Sequence, residues 1–578
     1  MSDAACAYLR DTGTFVLVDE PTAPASGTAV LICPPFGWEA VASRRPLRDW
    51  AHALAARGNV VLRLDLPGSG DSAGGPGDDD RWQAWCAATG AAARLLTSRA
   101  GVERVAAIGI GIGGLIVIEA IAADAPVDCV ALWATPVRGR ALLRELQAFS
   151  RFEQSELPQP GPDTGHDDDG LAVAGYRLSA ETMASLQQVD LRTLAAGTLA
   201  GRSVLLLESD GRRTDPDLAA ALSRAGALVG DAQAGSFSRL IAEPQLAALP
   251  AEAERAVGDW LDRLPAAAAR TPVAPPATAA ELPLPGGGSE RPVRIGSLFG
   301  VLASPDGAAG ELCLVFLNAG VIDHCGPNRL WVRAARAWAG RGVTSLRVDL
   351  EGIGESDGDA SVYRENDGLH TERLVGQVLT VIDELAARGT GKRFAVVGLC
   401  SGAYWGFHAA CADPRIVAAV MINPRALIWN EHLDADREAR RAGQMVRSVS
   451  WEKLRHSGRD AVRLAPWAVR ALGRRAFARR GSRTAGGDPL QSAALSGRFE
   501  RLRENRTRLL ALFTGEEPLY EELESGGFLA GEHGGDVLRV RVLSDVPAHT
   551  LRPSWLQRRA LEELDREITS LTGGTAAF

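Results

Sequence analysis

Residues 393–410 read RFAVVGLCSGAYWGFHAA: an apolar, β-branched run, a break from Gly398 to Gly402, then residues that favour helix. The break has the form G-x-C-x-G with Cys400 at its centre. Glycines suit a sharp strand-to-helix turn because its strained backbone leaves no room for neighbouring Cβ atoms, and a residue at its tip stands clear for reaction. The N-terminus of the following helix also favours a thiolate. The chemistry on offer is nucleophilic attack on an acyl carbon. An acyl-cysteine is itself a thioester, so exchange with another thioester is nearly balanced in energy, and acyl transfer or thioester cleavage is favoured over plain ester hydrolysis. The competing reading is a small core cysteine. Ser401 is a rival nucleophile, but it sits off the register of the turn.

A second stretch, RVAAIGIGIGGLIVIEA at 104–120, makes the same break with Gly111 in the cysteine's place. Sliding the chain on itself by 284 residues aligns about Phe15–Gly74 without a gap: Phe15 falls on Phe299, Pro21 on Pro305, and LRLDLPGSGDSAG on LRVDLEGIGESDG. The chain of 578 residues, too long for one core, reads as one unit written twice. A first domain is expected over 1–264, a Pro/Ala/Gly linker over 265–290 and a second domain over 291–578. In the second copy, strands are expected near 311–317, 344–349, 393–398, 418–423, 508–514 and 537–543, with helices between. A leading pair of short strands, around 293–303 and near 14–18, is expected to form an antiparallel edge. The alternation predicts an α/β fold: a mostly parallel sheet flanked by helices, with functional groups on loops at the strands' carboxyl ends. A nucleotide-binding variant is disfavoured, since neither a correctly placed G-x-G-x-x-G nor a Walker lysine is found.

The G-x-C-x-G turn resembles the nucleophile turn of the α/β-hydrolase family, whose central residue is serine or, as in dienelactone hydrolases, cysteine. The D-x-x-G-x-G-x-S element formed by Asp349, Gly352, Gly354 and Ser356 is similar to a loop common in that family. The resemblance runs over nearly all the chain, twice, and implies two tandem α/β-hydrolase domains, each with a cap insertion. It implies that His549, placed after the last strand and before the closing helix, is the base. The acid should follow the preceding strand in LLALFTGEEPLYEEL, where Glu517 is the choice and Glu516 the alternative. The oxyanion hole would use the N–H of Ser401 and one from LNAGV, around Ala319 or Gly320. His324 and Cys325, beside that loop, are expected to shape the pocket, and His408 to pack in a core. Both copies are also similar to hydrolases found alongside exosortase and exopolysaccharide genes in bacteria.

The first copy is expected to be non-catalytic. It has two histidines, His52 and His166, and neither follows the expected last strand, where 231–244 reads DAQAGSFSRLIAEP. Asp210 and Asp215 stand near the acid position without partners for the chemistry.

A net charge of −8 argues against a general nucleic-acid binder. Residues 437–483, within a cap expected at about 430–505, nevertheless hold fourteen Lys or Arg against three acids, interleaved with Trp451, Leu454, Val462, Trp467, Val469, Leu472 and Phe477. This segment reads as a solvated basic face, as a dock for an acidic carrier protein or coenzyme A phosphates, or as a transient contact with an anionic membrane. Arg470, Arg474, Arg475, Arg479 and Arg480 are the candidate contacts of the docking reading. The chain has no apolar run long enough for a membrane helix and no signal-like N-terminus. Its eight scattered cysteines fit a reducing cytoplasm. No metal-ligand spacing is present, and no cofactor is expected. These features favour a cytoplasmic cysteine-dependent acyltransferase or thioesterase acting on a coenzyme A- or carrier-bound acyl group. An ester or lactone hydrolase and a non-catalytic scaffold are the alternatives.

Overall fold

Short β-branched runs that are apolar on both faces can be buried only inside a sheet covered from both sides. Two such sheets form in the computed structural model, which describes residues 5–75, 77–79, 81–156, 170–209, 215–265, 274–307, 309–364, 366–429, 489–515, 517–529, 537–545 and 548–573. The first half contributes β1 (Ala5–Leu9), β2 (Thr14–Asp19), β3 (Thr28–Cys33), β4 (Val60–Leu64), β5 (Arg104–Ile110), β6 (Cys129–Trp133), a hairpin of β7 (Leu171–Val173) and β8 (Tyr176–Leu178), then β9 (Ser203–Glu208), β10 (Leu228–Gln233) and β11 (Thr278–Ala279). The second contributes β12 (Leu282–Pro283), β13 (Ser289–Ile295), β14 (Leu298–Ser304), β15 (Leu312–Phe316), β16 (Thr344–Val348), β17 (Arg393–Leu399), β18 (Ile416–Ile422), β19 (Arg508–Thr514) and β20 (Leu538–Ser544).

Among the described residues the sheets are nine-stranded, in the orders β10-β9-β6-β5-β3-β4-β2-β1-β11 and β12-β13-β14-β16-β15-β17-β18-β19-β20. From the antiparallel edge inward, the two run through corresponding strands in the same sequence. The leading pairs β1–β2 and β13–β14 are antiparallel; in the large sheets β3, β4, β5, β6, β9 and β10 pair in parallel, as do β15 to β20, while the β7–β8 hairpin stands apart and is antiparallel. Helices cover both faces of each sheet, and separate apolar clusters fill the space on either side.

The stretch expected to be linker, 265–290, is partly sheet. β11 pairs with β1 and β12 with β13, so two successive short strands close the antiparallel edge of one sheet and then of the other. Its Pro and Ala content did not reveal these pairings. Pro283 is tolerated because β12 is an edge strand.

The halves meet through their leading strands and the loops after β4 and β16. Tyr8, Phe15 and Leu17 share an apolar cluster with Leu282, Phe299 and Val301. Around it lies a reciprocal set of charges. Arg63 on β4 donates to both carboxylate oxygens of Glu355, at 2.9 and 3.0 Å, while Arg347 on β16 donates to Asp71 at 2.6 Å. Offset by 284 positions, Arg63 corresponds to Arg347 and Asp71 to Glu355. Arg45 likewise donates to the carbonyls of Ser356 and Gly358, as Arg329 does to those of Ser72 and Gly74. Each half therefore presents the same patch to the other, as in a two-fold dimer. The arginines, acids and carbonyls of this reciprocal set lie in the stretches that align without a gap.

Candidate active site

A parallel strand that ends in a tight turn throws its last residue out over the sheet edge. Cys400 occupies that place between β17 and the helix Ser401–Ala412, with φ 58° and ψ −115°, a backbone region unfavourable for a residue with a Cβ. Its N–H donates to the Ile422 carbonyl at 3.0 Å, which ties the turn to β18. Gly402 is required by a close approach: a Cβ there would lie 2.2 Å from the carbonyl oxygen of Asn318. The helix thus begins directly against the loop after β15.

Ser401 is fully buried, and its Oγ accepts the Gly320 N–H at 3.0 Å. Its side chain is thus turned into the protein, away from the tip of the turn that Cys400 occupies. It also engages the Gly320 amide. Ala319 itself is held by a bridge to Ile322.

His549 and Glu517 come from the ends of the last two strands and meet here. His549 Nδ1 lies 2.7 Å from Glu517 Oε1, and the imidazole also hydrogen-bonds Cys400. Burial opposes a charged imidazole, but the charges of Cys400 and Glu517, with their hydrogen bonds, outweigh it and lift the His549 pKa from 6.5 to about 9. Glu517 precedes the helix Pro518–Ser525, and its side chain is 4% exposed, whereas that of His549 is 27% exposed. Glu516 lies outside the described residues.

Asn423, which the sequence reading passed over, joins these two loops. It follows β18 with φ 42°, its Nδ2 donates to the His549 carbonyl at 2.9 Å, and its Oδ1 accepts the Thr514 N–H at 2.8 Å. An asparagine immediately after a strand is the available signal, since asparagine tolerates a left-handed backbone better than most residues.

Beside the first turn of the Ser401–Ala412 helix stands an aromatic wall: His370 stacks on Trp429 with centroids 3.7 Å apart, and Tyr404 meets His370 edge-on at 5.0 Å. His408 packs behind Tyr404 and bonds the Leu427 carbonyl at 2.8 Å; burial pushes its pKa down to about 4, so it is neutral. This agrees with the core role expected for it.

His324 does not line the site. It has no exposed surface and spans Asp71 of the first half and Asp349 of the second, at 2.7 Å from each. Burial disfavours its charge, but the two carboxylates prevail and raise its pKa well above the ordinary value. Both ring nitrogens then donate. The pocket-shaping role expected from its nearness in sequence to LNAGV gives way to one in the seam. The neighbouring Cys325 is buried as well, and its thiol is pushed up to about 12, first by burial and then by Asp323 and Asp71. The cap and its Arg470, Arg474, Arg475, Arg479 and Arg480 lie outside the described residues, except for the helix Pro489–Asn505.

The first half builds the same turn without the groups. Gly111 has φ 56° and ψ −122°, and its N–H donates to the Trp133 carbonyl at 2.9 Å. Ala134, with φ 52°, follows β6 as Asn423 follows β18, but it carries no amide. Trp133 is fully buried against Phe237, 5.5 Å between centroids, and its Nε1 donates to Ser209 at 2.7 Å. Asp215 caps the helix Pro216–Arg224, while Asp210 and His166 lie outside the described residues. His52 pairs with Asp19 at 3.3 Å.

A family model described as serine aminopeptidase, S33, matches residues 30–167, a stretch of the first half that includes Gly111. No curated protein matches the chain. Solved structures resemble about half of it at a time. Dienelactone hydrolase from Anabaena variabilis is 13% identical with a TM-score of 0.31, covering 49% of this chain and 97% of its own. DcsB, in complex with its substrate analogue, is 15% identical with a TM-score of 0.32, covering 45% and 98%. Est1E from Butyrivibrio proteoclasticus, bound to ferulic acid, is 14% identical with a TM-score of 0.30, covering 43% and 92%. Among the described residues, no helix is long and apolar enough to cross a membrane.

Proposed function

We propose that the second half is a cysteine-dependent acyl-transfer catalyst, an acyltransferase or thioesterase, and that the first half is a pseudo-hydrolase. The carrying observation is the convergence of Cys400, His549 and Glu517 from three strand ends, with the imidazole bonded to both partners. In this reading the Cys400 thiolate adds to a thioester carbonyl, and the backbone N–H of Ser401 with one from the loop at Ala319 and Gly320 holds the oxyanion. The tetrahedral adduct collapses, the C–S bond to the leaving thiol breaks, and His549 delivers the proton that the thiolate takes up. An amine, alcohol or water then attacks the acyl-cysteine, and His549 removes its proton.

The donor class proposed is an acyl group on coenzyme A or a carrier-protein phosphopantetheine. The basic segment 437–483 supports it, because local positive charge raises the association rate of such anionic partners. Exposing the protein to a panel of acyl thioesters and weighing it intact tests the reading: an added acyl mass on Cys400, missing from Cys400→Ala, is expected. Full turnover by Cys400→Ala would overturn it. A second reading, hydrolysis of esters or lactones at the same centre, is favoured by the 27% exposure of the His549 side chain, which admits water to the base. Product masses with oxyesters and thioesters, with and without an amine acceptor, separate the two readings.

A further inference from the structure

The half without a nucleophile reaches the reaction centre of the other through a continuous run of buried hydrogen bonds. Asp71 Oδ2 accepts from His324 Nε2 at 2.7 Å, and His324 Nδ1 donates to Asp349 Oδ2 at 2.7 Å. Asp349 Oδ1 accepts from Asn318 Nδ2 at 2.8 Å, and Asn318 Oδ1 accepts the Leu350 N–H at 3.0 Å. Asn318 Nδ2 also donates to the Ile322 carbonyl at 3.0 Å, closing the loop that contains Ala319 and Gly320. Asp71, His324, Asp349 and Asn318 all have no exposed surface. In the first half the offset places Pro34 at the position of Asn318 and Ala40 at that of His324, so this run exists in one direction only.

We propose that Asp71 is a positioning residue for the oxyanion loop of the second half, acting through His324 and Asp349 on Asn318. The proposal rests on Cys400 being the acylated nucleophile. An oxyanion donor acts only when fixed in advance where negative charge develops, and a buried, fully satisfied network is a means of fixing it. Asp71 Oδ2 accepts from His324, and its Oδ1 accepts from Arg347 and from the Cys325 thiol. Asparagine removes the negative charge and leaves one acceptor for these donors, so Asp71→Asn weakens the run at its first link.

The seam supplies a matched control. Glu355 occupies the corresponding position, is 3% exposed, and accepts two bonds from Arg63, so Glu355→Gln likewise removes a negative charge and one acceptor. It meets the run through its backbone alone, whose N–H donates to Asp349 Oδ2 at 2.9 Å, and Glu355→Gln keeps that bond. The experiment compares two reactions at Cys400 in the full chain. Acylation by p-nitrophenyl acetate passes through an oxyanion as p-nitrophenolate leaves; alkylation by iodoacetamide displaces iodide and forms none. Asp71→Asn should slow the p-nitrophenolate burst by about tenfold or more, while alkylation stays within about twofold; Glu355→Gln should leave both rates within about twofold. A wild-type burst rate in Asp71→Asn, an equal loss in both variants, or a parallel loss of alkylation overturns the proposal. Should Asp71→Asn not fold, Asn318→Ala leaves the seam intact and removes the last link, and a wild-type burst there overturns it equally. Failure of the wild-type protein to gain an acetyl mass at Cys400 would instead refute the nucleophile itself.

Discussion

The two turns at Gly111 and Cys400 have nearly the same backbone, φ 56° against 58° and ψ −122° against −115°, and both follow a buried parallel strand. What differs is everything that would make the turn reactive. Behind Cys400 stand a histidine, a carboxylate and the Asn423 amide that joins their loops. Behind Gly111 stand Trp133, Phe237 and Ala134. A strained turn is thus a property of the fold that persists without chemistry. The chemistry needs groups from several loops at once, and apolar packing replaces them when they are absent.

Variants can break this contrast or sharpen it. The largest effect is expected from Cys400→Ala, which should lower thioester turnover by about ten-thousandfold, while Gly111→Cys should create no turnover in the first half, because the polar group nearest its Cβ is the Glu39 carboxylate, 3.6 Å away, rather than an imidazole. Release of free thiol measures both. Glu517→Gln should lower kcat by roughly a thousandfold. It should also move a pH limb: with His549 lifted to about 9, the imidazolium that protonates the leaving thiol persists through neutrality, so kcat/KM should fall as pH rises through about 9. Without the Glu517 charge, that fall should come at lower pH.

Asn423→Ala copies Ala134 into the second half and should cost about ten- to a hundredfold in turnover through a misplaced His549. The same change strands the Thr514 N–H, so urea unfolding should show a loss of about 1–3 kcal/mol. At the small end, Trp133→Ala should leave turnover unchanged while lowering stability by about 3–5 kcal/mol. A loss of turnover with the protein still folded would show that the core of the first half reaches the reaction centre.

The Cys400 turn was legible because its signals are local: a β-branched run, a glycine frame and a helix-forming tail within eighteen residues. The strands around it were legible for the same reason, to within about two residues. The positions of His549 and of Glu517, with Glu516 as its alternative, came from the resemblance, which sets the base and acid after the last two strands. Asn423 was not legible, since its two partners lie 126 and 91 residues away and a single asparagine after a strand has many uses. The seam was hidden differently. Arg63 and Arg347 sit within strands and are 6% and 0% exposed, where a charged residue ordinarily marks a solvent face. The matching stretch was read as a repeat, and the reason for the match, that each copy faces the other, required the packed halves. His324 was misplaced for the same reason, because its nearest partners include an aspartate 253 residues away.

The two short strands at Thr278–Ala279 and Leu282–Pro283 bear on any attempt to divide this protein. Only Ala280 and Glu281 separate them, yet they close different sheets. A cut before Thr278 leaves β1 an open edge, and one after Pro283 does the same to β13. Open edges recruit foreign strands. Fragments made at either point are therefore expected to clump when produced singly and to recover when mixed, each lending the other a missing border.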